Sequence, residues 1–211
     1  MLSFKEYILR EFKESKTKPK KTIKGYKLFK MKKNSPGKIF PLYVDANVPV
    51  QMGVWLDATE GEMNDKGKVK SKLGGLAYRP GWHSGDSPIA THIGLKEPGG
   101  NNKPAYRADD HVWAEVEIPA DFDWQEEANK RANKTKDGKI VPKTAHITDQ
   151  IPLNGFYRYK TNSNMLGNWI ISGAIKVNKL LSDEEVERIN KSNGVEDLPR
   201  KTSLNLKEYG F

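Results

Sequence analysis

The chain reads as an α+β domain: a mainly antiparallel sheet, split or strongly twisted, with a few short helices and a basic N-terminal tail. Three observations predict it. Residues 111–118 read HVWAEVEI, with Val112, Ala114, Val116 and Ile118 on one face of a strand and Trp113, Glu115 and Glu117 on the other. Residues 182–190 read SDEEVERIN, where Ser182 caps a helix and Glu185 stands at the capping-box position. Strand-like and helix-like runs follow one another without the regular β-α alternation of a parallel sheet. A length of 211 residues suits one domain plus tails. The expected boundaries are a basic amphipathic segment over residues 1–24, one α+β domain over 25–196 and a loosely attached tail over 197–211.

In chain order, Leu2, Phe4, Tyr7, Ile8 and Phe12 follow helical spacing, and Ser3 with Glu6 forms a candidate capping box. Residues 16–24, KTKPKKTIK, are a basic linker broken by Pro19. Residues 26–31 alternate as a strand. The turn cluster Asn34-Ser35-Pro36-Gly37 then leads into a second strand over 38–44, which makes a hairpin. Residues 48–56 are a further apolar stretch ending near Trp55, and the charged, aperiodic run 60–72 is a surface loop. Residues 122–133 suit a helix opened by Asp121 or Asp123 and carrying Trp124. Residues 155–159 are a short strand, 162–168 a loop, and 169–177, WIISGAIKV, the most strand-like run of the chain. Gly194 ends the last helix.

The charge is unevenly placed. Up to Lys33 there are 12 basic residues against 3 acids, an excess equal to the whole net charge of +9. The totals of 36 basic and 27 acidic residues therefore leave 24 of each in the rest. A partner drawn by charge alone meets the N-terminus first, and nucleic acid is the expected one. Cysteine is absent, which excludes disulfides and thiolate metal sites. No apolar run approaches the ~20 residues of a membrane span, and the opening residues lack the apolar core of a secretory signal. An intracellular protein without a membrane partner is expected. No Walker loop, G-x-G-x-x-G or G-x-S-x-G occurs, so ordinary nucleotide hydrolysis, Rossmann binding and α/β-hydrolase chemistry have no support.

The densest chemistry lies in residues 76–90, LAYRPGWHSGDSPIA. Gly, Pro, Trp, His and Asp are packed together there as in an irregular binding loop rather than a core strand. Arg79 can fork onto a phosphate, and His83, between Trp82 and Ser84, can hydrogen-bond a ribose or phosphate. The structural alternative is an Arg79–Asp86 pair across the loop, with His83 a satisfied polar group. A metal held by His83, Asp86 and His92 fits no recognised closed site, so none is expected. Trp82, Trp113, Trp124 and Trp169 are candidates to stack on a base, although at least two of them are expected in the core.

The segments LAYRPGWHSGDSPIATHIG, HVWAEVEIPADFDWQEEA, GFYRYKTN and WIISGAIKVNKLLSDEEV, in that order, resemble a domain of large polyvalent proteins of phages and conjugative elements. The resemblance covers roughly residues 26–193. Its layout is similar to the ADP-ribosyltransferase-like fold, in which a split sheet grips nicotinamide adenine dinucleotide (NAD). It implies an early Arg or His contact, here Arg79 or His83 with Ser84 beside them. It also implies a middle aromatic, here Tyr157 or Tyr159, and a late catalytic glutamate. At the last position the chain departs from the pattern, because Asn168 and Trp169 stand where a Glu is expected. The nearest acids, Glu115 and Glu117, come a strand early. They are the candidate catalytic carboxylates with His83, and Trp169 is a candidate cofactor contact. The opening residues resemble the capsid-targeting leader of internal head proteins of T-even-like phages. Phe4, Glu6, Tyr7 and Ile8 carry that likeness, with Leu9-Arg10-Glu11 as the cut site; an amphipathic helix capping the domain is the plainer reading. Together the two resemblances imply a phage accessory protein that binds NAD, sits in the host cytoplasm or virion interior, and meets a capsid or host protein target. The alternative is a non-catalytic, DNA-associated virion protein.

Overall fold

The computed structural model describes residues 15–16, 18–71, 74–90, 107–141, 151–160, 166–195 and 203–211. The candidate leader and its helix, and His92, lie outside the described residues. The chain is mixed α+β. Its organising strand is β1 (Thr22–Met31), which pairs along nine positions with β7 (His111–Pro119), from Thr22↔Pro119 to Lys30↔His111. Alternation makes this possible, because Phe29 and Met31 enter one core while Tyr26 and Leu28 enter another on the opposite face. The far edge of β7 pairs with β11 (Ala174–Leu180), whose register shifts between Val177 and Lys179. The short β3 (Trp55–Asp57) closes that side.

The other edge of β1 changes partner along its length. It meets β6 (Trp82–Gly85) at the single pair Tyr26↔Gly85, and then β2 (Ile39–Phe40) at Lys30 and Met31. Between those contacts the sheet is split. Beyond the split, β6 pairs with β10 (Trp169–Ser172), β10 with β9 (Gly155–Tyr159), and β9 runs parallel to β8 (Phe122–Asp123). A separate two-stranded ribbon is formed by β4 (Val69–Ser71), inside the run 60–72 expected to be loop, and β5 (Gly74–Leu76) just beyond it. Helix α1 (Gln125–Arg131) is shorter than expected. Its N-cap is Trp124 with no side-chain cap bond; Asp123 instead accepts from Gln125 N, and Asp121 accepts the backbone N–H groups of Lys20 and Lys21. Helix α2 (Asp183–Ser192) has the full capping box on Ser182 and Glu185, and Gly194 follows with a φ of 72°. Among the described residues no helix is long and apolar enough to cross a membrane.

Four expectations are corrected. The run 169–177 is two strands, broken at Gly173. There a Cβ would fall on the carbonyl of Pro152, and β10 and β11 go to opposite sides of β1. Residues 78–90 are not one irregular loop, because Trp82–Gly85 is an inner strand between β1 and β10. Finally, the loose attachment expected of the last residues does not extend to 203–211. Leu204, Leu206 and Phe211 pack on the first core, Tyr209 is buried within it, and Tyr209 O accepts from Gly37 N at 2.7 Å. The strand β1 likewise begins three residues inside the segment assigned to the tail.

Candidate functional site: a cavity at the split in the sheet

Where β1 exchanges β6 for β2, its backbone edge is left open and a cavity of about 370 Å³ forms. Aromatic rings make much of its wall: Tyr26, Tyr43, Trp82, Trp113, Tyr159 and Trp169. Lys27 and Arg79 are its cationic residues, His83 lines it as well, and Asp45 and Glu60 are its carboxylates. That size and mixture suit a small organic ligand with a flat apolar part and a charged part.

A side chain spans the split where the strand ladder stops. Lys27 Nζ donates to His83 O at 2.7 Å and lies 5.3 Å from the Trp82 ring centre and 5.7 Å from that of Phe29. Burial pushes its pKa down to about 8. Among the described residues no carboxylate lies within ion-pair distance of it.

His83 is fixed at both ring nitrogens. A carbonyl can only accept, so Nε2–H donates to Arg79 O at 3.0 Å, and Nδ1 is left to accept from the Tyr159 hydroxyl at 3.4 Å. The two rings meet edge to face. Burial, reinforced by the charges of Lys27 and Arg79, lowers the His83 pKa to about 4 against the opposing bond to Arg79 O. The imidazole is therefore neutral near pH 7, and it orders the turn between Arg79 and β6 rather than offering a free nitrogen to ligand. Burial raises the Tyr159 and Tyr157 hydroxyls above their ordinary range.

Arg79 is held differently. Its Nε is buried and meets no hydrogen-bond acceptor among the described residues. The Arg79–Asp86 pair of the structural alternative is not formed. Asp86 instead accepts Asn168 N at 3.0 Å and Asn168 Nδ2 at 2.9 Å, so the residue standing where a late Glu was expected clamps the end of β6 to the start of β10. Gly81, with a φ of 122°, lies where a Cβ would strike Ile171, and it lines the cavity with Arg79.

The structure gathers Arg79, His83, Tyr159 and Trp169 from the sequence-derived set into the cavity wall. Ser84 and Tyr157 are buried in the sheet and do not line it. Glu115 and Glu117 are also elsewhere, farther along the β7 face that carries Trp113. Glu115 pairs with Lys24 at 2.9 Å; Glu117 pairs with Lys176 at 2.8 Å and accepts from Asn178 at 3.1 Å. They hold neighbouring strands together and do not reach the cavity. Trp82 and Trp113 are core and wall at once, with Trp82 Nε1 donating to Leu56 O at 3.0 Å; Trp124 packs on the second core. Among the described residues no group of three His, Asp or Glu side chains is placed to hold a metal. Sequence reading missed Lys27, Tyr43, Asp45 and Glu60. For Lys27 a signal existed: it shares a strand face with Phe29 and Met31, which are fully buried, and a lysine in that register faces the interior. No family model, curated protein or solved structure matches this chain.

Proposed function

We propose that this cavity binds NAD or a related nucleotide, with phosphate oxygens at Arg79 and Lys27 and a base or nicotinamide ring against the aromatic wall. The observation that carries the reading is the pairing of two cationic side chains, neither joined to a carboxylate among the described residues, with an aromatic cavity opened by a split sheet. A buried cationic donor without an acceptor is costly unless an anion comes to it. The resemblance to ADP-ribosyltransferase-like domains points the same way. Glu115 and Glu117 are occupied elsewhere, so stabilisation of a positively charged ribosyl centre falls to Asp45 or Glu60 on the cavity wall. Saturating NAD is expected to raise the melting temperature of the whole chain, since a ligand of the native state must do so. Arg79→Ala should weaken binding by roughly one to two decades, as loss of a charge-assisted contact worth about 1.5–3 kcal/mol implies. Absence of any shift with NAD, ADP-ribose or a mononucleotide would refute the reading.

A second reading, nucleic-acid binding by the basic segment, is favoured by how its end is held. Asp121 accepts the backbone N–H groups of Lys20 and Lys21, so it fixes the chain path and uses none of the side-chain charge. Lys16, Lys18, Lys20 and Lys21 are exposed. If all four meet phosphates, changing them to Gln should reduce the slope of log affinity for duplex DNA against log salt by up to about 4. An unchanged slope would eliminate these contacts.

A further inference from the structure

Lys27 combines features that a phosphate contact does not require. Lys27 is among the residues lining a partly enclosed cavity, and its Nζ is anchored by one bond to His83 O and flanked by Trp82 and Phe29, with no carboxylate of the described residues near enough to hold a proton on it. Arg79 lines the same cavity, and its backbone carbonyl is tied to the His83 ring while the His83 carbonyl takes the Lys27 amine. One short segment therefore sets both side chains, an amine and a guanidinium, at one opening.

We propose that Lys27 is a carbonyl-reactive amine that forms an imine with an aldehyde-bearing ligand whose phosphate is held by Arg79. The role given to Arg79 rests on the anion-site reading above; the amine chemistry stands on the Lys27 environment alone. The Nζ lone pair attacks the aldehyde carbon and a C–N bond forms. The two amine hydrogens leave with the carbonyl oxygen as water, and nothing is oxidised or reduced. The attacking species is the uncharged amine. With its pKa lowered to about 8, Lys27 holds it in about a hundredfold greater proportion near pH 8 than a lysine at the ordinary value of about 10.4. Loss of water from the adduct is favoured by apolar walls.

The test treats the full chain with pyridoxal 5′-phosphate near pH 8, reduces with borohydride and maps the modified peptides. Lys27 should be modified at least about tenfold faster than the exposed Lys134 and Lys136, in line with its larger fraction of free amine. The fast phase of imine absorbance should disappear in Lys27→Met, leaving only the slower reaction of the exposed lysines. Benzaldehyde, which has no anion, should also modify Lys27, and Arg79→Gln should slow the phosphorylated aldehyde while leaving benzaldehyde unaffected. Modification of Lys27 no faster than Lys134 by either aldehyde overturns the proposal. An equal effect of Arg79→Gln on both aldehydes overturns the role given to Arg79. Rapid reaction of benzaldehyde at Lys27 with no NAD-induced rise in melting temperature sinks the nucleotide reading alone. An NAD-induced rise with an inert Lys27 sinks the amine proposal alone.

Discussion

Arg107→Ala is expected to destabilise the protein by about 3–5 kcal/mol, the usual result of removing one partner from a buried ion pair. Arg107 and Asp183 have side chains only 2% and 5% exposed. Arg107 Nε and Nη2 donate to the two carboxylate oxygens of Asp183 at 2.9 and 2.8 Å, and Nη1 donates to Ala108 O at 3.1 Å. Asp183 opens α2, where a negative charge is favoured by the helix terminus, and it also accepts Leu204 N at 2.8 Å. Removing the guanidinium takes two donors and the balancing charge from that buried carboxylate. The same change loosens the C-terminal segment, because Leu204 leads into the turn that puts Tyr209 in the first core. The double replacement Arg107→Leu, Asp183→Leu should cost less than Arg107→Ala, since it leaves no lone charge behind. Urea unfolding checks both, and a loss below about 1 kcal/mol for Arg107→Ala would show that the pair is not buried as described.

The elements that were legible in the sequence are those in which one local rule decides the structure. In β7 the apolar face is fully buried and the other face ends in ion pairs with strand neighbours, so alternation is written directly into HVWAEVEI. In α2 the two cap residues satisfy each other's backbone N–H groups locally. The strand β6 was hidden because it is short and buried on both faces, as Trp82, Ser84 and Gly85 show, and such a strand has no alternation to display. Gly85 within it and Gly81 before it signal a close approach of backbone, which reads equally as a ligand loop. The division of β10 from β11 was hidden by the apolar character of both, and Gly173 was the only mark of the bend. Of the site, Arg79, His83, Tyr159 and Trp169 could be found by residue type. Asp45 and Glu60 come from segments with no pattern of their own, and only the folding of 41–45 and 58–60 over the split brings them to the cavity. Glu115 and Glu117 misled because a carboxylate pair on one face looks the same whether it serves chemistry or neighbouring lysines.

Acidification should destabilise the protein well above the range in which its carboxylates titrate, and His83 should be the main cause. Its pKa is about 4 in the folded chain and about 6.5 when unfolded. As pH falls below 6.5 the unfolded state takes up a proton that the folded state refuses. The contribution is therefore fully present above pH 6.5 and is lost as pH falls toward 4. A gap of this size amounts to about 3 kcal/mol in all, with about 2 kcal/mol gone by pH 5. His111, also lowered chiefly by burial, acts with the same sign. Glu117 and Glu185 are held below the ordinary carboxylate value, so their losses come at lower pH. The effect of His83 is isolated by comparing wild type with His83→Gln by urea unfolding at pH 7 and pH 5. Wild type should lose about 2 kcal/mol more than the variant over that interval, because Gln has no proton to take up. The cost has a structural reading as well. Protonation puts a third positive charge beside Lys27 and Arg79 and gives Nδ1 a hydrogen that the Tyr159 hydroxyl must then accept rather than donate against. Equal losses in both proteins would mean that the imidazole is open to solvent, and the closed turn that presents Arg79 to the cavity would have to be abandoned with it.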